Sequence, residues 1–283
     1  PDMWNNKVTQ SNLKKLAEAE MDVIGPSYGT HACGDIGYGR MTNPEQIIER
    51  IKLTNKTSLL GGSRILVTAG PTREPIDPVR FMSNYSSGKM GYEVAIAAKT
   101  MGASVKLISG PVSLDPVKGV ETQYVETSNE MYEAVMSNIK DFDILISTAA
   151  IADYKPANYS KIKYKKNQNN ISIEFKRGID IITTVSNKYK NIYTVGFAAE
   201  TDSLKKNSLD KLTKKSLNMI VGNIANHELK LGFESDYNEV TIFTKNKSLK
   251  IALSKKSEIA KSVLSAIADD YSSNIKLINE HAK

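Results

Sequence analysis

R-I-L-V-T-A-G-P-T-R-E-P-I-D-P-V-R-F-M-S-N-Y-S-S-G-K-M-G, residues Arg64 to Gly91, decides the reading of this chain. Ile65 to Thr68 is a short aliphatic and β-branched run, the pattern of a buried strand. Gly70-Pro71, Pro75 and Pro78 then argue against regular structure as far as the next helix pattern. That helix places Val94, Ala95, Ala98 and Met101 on one face. Strand, long polar loop and helix is how open α/β sheets present a ligand site at the carboxyl end of a strand. The loop carries Arg73, Arg80 and Lys89 with Asn84, Ser86, Ser87 and Gly88, a donor-rich cationic surface suited to phosphate and carboxylate oxygens.

Ser87-Gly88-Lys89 resembles the end of a P-loop. That motif needs Ser or Thr after the lysine and Gly five residues before Gly88, where Met90 and Ser83 stand, so it is excluded. A solvated connector is the other reading, but long ordered loops in compact domains usually carry function.

The 283 residues suffice for a large core and one or two domains, in an ordinary globular composition. No run of eighteen apolar residues and no signal peptide is present, so a chain that neither spans a membrane nor is exported is expected. The single cysteine, Cys33, excludes an internal disulfide and fits a reducing cytoplasm. Net charge is +7. No Lys/Arg run with interleaved aromatics points to nucleic acid, and polyanionic small substrates would use a local excess of cations.

Residues 1–61 do not read as a complete domain. A helix pattern from Thr9 to Glu20, a strand-like 22–25, the glycine-rich 31–41 and a helix from Asn43 to about Leu53 bury too little to fold alone. After a linker the second domain, 62–275, alternates strands and helices. Strands are expected at 103–109, within 119–127, at 143–147 and 219–223, and at the start of 193–201, which is read as a strand and then a tight turn. Helices are expected at 131–139, 204–216 and 256–271, with an edge strand at 171–175, a hairpin at 239–244 and 249–253, and a tail at the end. This predicts an α/β, Rossmann-like, mostly parallel sheet with helices on both faces.

Small residues from Ser147 to Ala152 would let a flat ring approach the backbone at a strand's carboxyl end. Asp153 there could accept from ribose or a base, or cap a helix. Lys161 to Lys166 is a charge run that by itself reads as a solvated face. Phe197 offers a ring face or is core. Lys211 and Lys215 stand four apart on one helix face, unfavourable unless anions answer them.

T-A-G-P-T-R-E-P-I-D-P-V-R-F-M-S-N-Y-S-S-G-K-M-G resembles the signature of phosphopantothenate–cysteine ligase. In bacteria that ligase is usually the C-terminal half of a bifunctional coenzyme A biosynthesis protein, behind phosphopantothenoylcysteine decarboxylase. The resemblance covers most of Arg64 to about Tyr271. M-W-N-N-K-x-T-Q and A-C-G-D-x-G-x-G-R-M resemble the last third of the flavin-dependent decarboxylase. The resemblance implies that 1–61 is the C-terminal part of that flavoprotein domain and 62–275 the ligase domain. Cys33 would be the decarboxylase proton donor, without its partner histidine. The main FMN-binding segment would lie ahead of residue 1, so this chain alone is not expected to decarboxylate.

For the ligase, the resemblance implies contacts to CTP from Ser147, Thr148, Ala149 and Asp153, from Lys161 of a K-I-K-K-like loop, and from Phe197, Lys211 and Lys215. Gly178-Ile179-Asp180-Ile181-Ile182 stands where the family has N-P-D-I-L/V, a further CTP-contacting turn. Asn84 falls at the catalytic asparagine, and Arg80 would orient the pantothenate side. The expected reaction joins 4′-phosphopantothenate to cysteine through an acyl cytidylate, with Mg²⁺ arriving on the nucleotide and no protein metal cluster. A homodimer is implied, its lysine loop reaching over the partner, or a higher oligomer with a complete decarboxylase domain. The residues themselves leave CTP against ATP open. Tyr159, Lys163 and Ser147 also admit a short-chain-dehydrogenase-like NAD(P) oxidoreductase, although Pro156 opposes the helix that tyrosine requires. A non-catalytic nucleotide-binding fragment is the third alternative.

Overall fold

The computed structural model describes residues 2–19, 21, 23–31, 34–48, 59–165, 170–224 and 235–281, with side chains as far as 272. The chain divides into two compact units, Pro1–Ser58 and Leu59–Lys283. In the first, α1 (Asp2–Asn5) precedes α2 (Lys7–Glu18), whose N-cap Asn6 accepts from the Val8 N–H at 2.9 Å. The strand expected at 22–25 is displaced. β1 (Ser27–Thr30) pairs antiparallel with β2 (Ile36–Arg40), which comes from the glycine-rich stretch 31–41. Tyr28 and Tyr38 pack edge to face across this pair, 5.2 Å between ring centres. Residues 44–48 are helical, as expected; the continuation to Leu53, like Cys33, lies outside the described residues.

In the second unit the aliphatic run becomes β3 (Arg64–Ala69), buried throughout except at Arg64. A hairpin, β4 (Arg73–Pro75) and β5 (Phe81–Ser83), interrupts the loop after it. Then come α3 (Lys89–Thr100), β6 (Ser104–Ser109), β7 (Glu121–Tyr124), α4 (Ser128–Asn138) and β8 (Ile144–Ser147). A second hairpin pairs β9 (Tyr154–Pro156) with β10 (Phe175–Arg177). α5 (Ile181–Lys188), β11 (Tyr193–Glu200), α6 (Leu204–Lys214), β12 (Met219–Ile224), β13 (Tyr237–Thr244), β14 (Ser248–Lys255) and α7 (Lys256–His281) complete it.

The main sheet has eight strands in the order β14-β13-β12-β11-β8-β3-β6-β7. β7, β6, β3, β8, β11 and β12 pair parallel, while β13 and β14 add an antiparallel hairpin at one edge. In chain order the parallel strands follow the doubly wound pattern 3-2-1-4-5-6, whose reversal falls between β3 and β8. Because side chains alternate along a strand, each strand feeds two cores. Ile65, Val67, Ile144, Ile146 and Val195 pack beneath α3 and α7. Leu66, Leu145 and Ile220 face α4, α5 and α6 instead. Helices therefore cover both faces, as the alternation predicted. At the opposite end from the reversal, Arg64 joins Asp143 by two side-chain hydrogen bonds of 3.1 and 2.7 Å. That guanidinium holds the Asp143 carboxyl below its ordinary 3.8 against the opposing effect of burial.

Four local expectations are corrected. Regular structure does enter the proline-rich loop: Pro75 ends β4, in register with Phe81, and the Arg73 guanidinium lies 4.6 Å over the Phe81 ring. The edge strand expected at 171–175 starts only at Phe175. The turn at 178–182 leads into a helix, α5, with Ile181, Ile182 and Val185 buried. The expected tail is helix as far as His281.

Candidate functional site

A cavity of about 460 Å³ opens at the sheet's reversal point, above the carboxyl ends of β3, β8 and β11. Two glycines make the approach possible. Gly88, at φ +77°, caps α3 in the left-handed region that favours glycine. At Gly91 a Cβ would stand 2.3 Å from Thr148 Oγ1 and 2.5 Å from Ala69 Cβ, so only a bare backbone lets α3 settle against β3 and β8. Gly88 brings no side chain to cap α3, and the helix's N-terminal residues line the cavity with Ser86 and Ser87. Helix N–H groups at such an end favour anionic oxygen.

Ser147, Thr148, Ala149 and Asp153 all line this cavity. Thr148 is fixed by its hydroxyl, which donates to the Thr68 carbonyl at 2.6 Å across the β3–β8 boundary. No helix starts at Asp153; β9 begins at the next residue, which removes the helix-cap alternative. Its carbonyl instead accepts from the Gly178 N–H at 2.7 Å, bringing Ile179, Asp180, Ile181 and Ile182 to the same wall. Phe197 is divided between its two readings: one side packs against the core under α3 and α7, and the ring is half-buried at the cavity.

Lys211 and Lys215 complete the wall. Their like charges do not wait for a shared anion: Lys211 pairs with Glu200 at 2.6 Å and Lys215 with Asp180 at 2.9 Å. Asp180 also accepts from the Thr183 N–H at 3.1 Å as the N-cap of α5. Burial raises its pKa, but the Lys215 ammonium and the Thr183 N–H outweigh burial and hold it below 3.8. Asn84 lines the same cavity, its amide donating to the Ala150 carbonyl at 2.9 Å.

Arg80 and Lys161 are not brought to this cavity. Both belong to an arm built on Asp77, which is 2% exposed. Asp77 accepts from the N–H groups of Val79 and Arg80 at 2.8 Å and of Tyr164 at 3.2 Å, and from the Arg80 guanidinium at 3.2 Å. Burial pushes this carboxyl up, and these donors together pull it below 3.8. The Ser160 N–H donates to the Ile76 carbonyl at 3.0 Å, so the lysine-rich segment is fastened to the β4–β5 hairpin with Lys161 in solvent. Tyr159 and Lys163 lie in the same non-helical segment, which removes the geometry of the dehydrogenase alternative.

The sequence reading overlooked Glu200, Asn223, Asn238 and Lys256, which either line the cavity or pair with its lysines. Lys256 left a signal. It falls three and four residues before Ile259 and Ala260, at the head of the apolar stripe Val263, Leu264, Ile267 and Ala268. A lysine on a buried stripe has to answer to something.

Among the described residues no group of three or more His, Cys, Asp or Glu is placed to hold a metal ion, and no helix is long and apolar enough to cross a membrane. In the first unit only Gly37 and Thr42 are buried among the described residues.

Comparison with known proteins shows the family. Residues 60–271 match the family described as DNA/pantothenate metabolism flavoprotein C-terminal domain, and residues 1–56 match the family described as flavoprotein. The chain is similar to the coenzyme A biosynthesis bifunctional protein CoaBC of Vibrio parahaemolyticus, 43% identical over 93% of this chain and 66% of that protein. Its counterpart in Bacillus subtilis is 43% identical over 86% of this chain and 61% of that protein. The chain thus spans somewhat under two thirds of the length of these relatives. A crystal structure of the C-terminal domain of a CoaBC protein superposes with a TM-score of 0.66 at 39% identity, covering 76% of this chain and 99% of that one.

Proposed function

The chain belongs to the DNA/pantothenate metabolism flavoprotein C-terminal domain family, and we propose that it joins 4′-phosphopantothenate to cysteine at the expense of CTP. The observation that carries this reading is that Asn84, Lys211 and Lys215 line one cavity at the reversal point of a doubly wound sheet.

A carboxylate resists attack by an amine because its oxide is a poor leaving group. In the proposed first step a carboxylate oxygen attacks the α-phosphorus of CTP, forming the acyl–phosphate bond and expelling pyrophosphate. In the second the cysteine amine attacks the acyl carbon, the C–O bond to CMP breaks, and the amine loses a proton as the amide forms. The protein's part is positioning and charge neutralisation. Phe197 and the small residues 147–149 would seat the base and ribose, with Asp153, Asp180 and the paired lysines fixing their orientation. The N-terminus of α3 faces the phosphates, and Asn84 would hold the acyl cytidylate by its amide. Mg²⁺ carried by the triphosphate would add charge neutralisation. Lys161 and Arg80, on the arm fastened to Asp77, would serve the cavity of a partner subunit in a homodimer.

On this reading residues 62–275 form the ligase domain and 1–61 the C-terminal part of a flavin-dependent decarboxylase domain. Cys33 would be its proton donor, FMN its cofactor, and the cytoplasm its location.

Pyrophosphate release from CTP or ATP with 4′-phosphopantothenate, with and without cysteine, tests the proposal. Cysteine-dependent turnover with CTP is expected, with Asn84→Ala stalled before amide formation. No pyrophosphate from either nucleotide would overturn it.

A further inference from the structure

The arm that carries Arg80 and Lys161 is made from two stretches distant in sequence, and one buried carboxylate joins them. The two oxygens of Asp77 divide the work. Oδ1 accepts from the N–H groups of Val79 and Arg80, both at 2.8 Å, and folds 77–80 into a turn whose backbone Pro78 restricts. Oδ2 accepts from the Arg80 guanidinium at 3.2 Å and from the Tyr164 N–H at 3.2 Å, which ties that turn to the lysine-rich segment. The same guanidinium nitrogen donates to the Tyr164 carbonyl at 3.4 Å. On the near side of Lys161, the Ser160 N–H donates to the Ile76 carbonyl at 3.0 Å and the Ser160 hydroxyl to the Ile162 carbonyl at 2.6 Å. Lys161 is therefore held between two fastenings, at Ser160 and at Tyr164, while it is itself exposed. The Arg80 side chain is 41% exposed and that of Asp77 is 0%. Two cations reach solvent from one buried anchor, and a fully bonded buried network of this kind fixes geometry.

We propose that Asp77 is a positioning residue that presents Arg80 and Lys161 together to the cavity of a partner subunit. The inference rests on the ligase reading, in which Lys161 meets the triphosphate and Arg80 orients the pantothenate side. One carboxylate then governs how both substrates of the first step are held, because the two cations share its anchor. Asp77 is 2% exposed, so it touches neither substrate and acts only through the groups it places. Asp77→Asn separates the roles of its two oxygens. The amide oxygen still accepts at the Oδ1 position and keeps the turn. The amide nitrogen replaces Oδ2 and meets two donors, the Arg80 guanidinium and the Tyr164 N–H, so the two stretches come apart.

Steady-state kinetics of the full chain, read as amide formation, test this role. Asp77→Asn should raise KM for CTP and for 4′-phosphopantothenate together, each about tenfold, the scale of one charge-assisted contact, with KM for cysteine unchanged. A mere loss of folded enzyme would lower kcat and leave every KM alone. Tyr164→Pro removes the same N–H from the other stretch and should move the same two constants. In mixed dimers of Asp77→Asn with Asn84→Ala, the cavity that keeps its Asn84 receives the unaltered arm. Such dimers should show wild-type KM values at about half the wild-type kcat, since one of two symmetric sites is intact. KM values equal to those of the Asp77→Asn homodimer would overturn the placement in a partner's cavity. Wild-type KM values in both Asp77→Asn and Tyr164→Pro would overturn the positioning role. Hydrogen exchange needs no turnover: in Asp77→Asn it should quicken at Tyr164 and stay slow at Val79 and Arg80. If the wild type makes no pyrophosphate from CTP or ATP, the ligase reading falls; quickened exchange at Tyr164 then keeps Asp77 as the fastening of the arm, and unchanged exchange removes it.

Discussion

Asp180 holds two structures at once, and two substitutions separate them. Its carboxylate caps α5 through the Thr183 N–H and faces Lys215 on the cavity wall. Asp180→Asn keeps an oxygen for the N–H and removes the charge; Asp180→Ala removes both. Loss of an N-cap oxygen costs about 1 kcal/mol. The ion pair is a third exposed on each side, so screening by water reduces it to about 0.5 kcal/mol. Asp180→Asn should therefore lose about 0.5 kcal/mol and Asp180→Ala about 1.5 kcal/mol. For a domain of this size the larger loss corresponds to a fall in Tm of about 3–6 °C. The pH dependence has a definite sign. The native carboxyl titrates below 3.8, so its charge stabilises the fold above that pH and ceases to as pH falls through the native value. Urea denaturation of both variants at neutral pH and at the lowest pH the wild type survives gives all the quantities. The asparagine deficit should shrink in acid and the extra alanine deficit should persist. Equal stability of the two variants at neutral pH would refute the division into cap and charge.

Asp143→Asn should destabilise at neutral pH, and its difference from wild type should narrow below about pH 3.8, because the Arg64 guanidinium holds the native carboxyl under that value; acid-denaturation midpoints check this. Thr127→Ala removes the side chain that accepts from the Glu130 N–H at 3.2 Å in a capping box, and should cost about 1 kcal/mol in chemical denaturation. Gly91→Ala drives a Cβ into Thr148 and Ala69; overpacking of about 1–3 kcal/mol should exceed the helix-propensity gain, and nucleotide affinity should fall with it. A Gly91→Ala protein that binds CTP as tightly as wild type would remove the close approach of α3 from the account of the cavity.

The parallel sheet was legible because each of its inner strands is a short aliphatic run, and burial on both faces leaves no other place for it. Ser147, Phe197 and Lys211 were legible as wall residues because the first ends such a strand, the second lies in one and the third is on the next helix. The arm was not. Whether Lys161 points into a cavity or away depends on Asp77, 84 residues earlier, accepting a hydrogen bond from Tyr164, and no local pattern encodes that pairing. The turn expected at 178–182 covers only the start of α5, whose eight residues show barely two turns of periodicity. Asp180 before Ile181, Ile182 and Val185 was nevertheless a cap and an apolar face waiting to be joined.

α7 has a consequence for the order in which the molecule is made. Translation completes β3, β8, β11 and β12 well before residues 256–268 exist, so the sheet face above Val67 and Ile146 has no cover but α3 during that interval. Lys256 joins the cavity only when the same helix docks. A nascent chain halted at β14 would thus display an unsealed apolar face and an unfinished nucleotide pocket, a form for chaperones to hold rather than for substrate to fill.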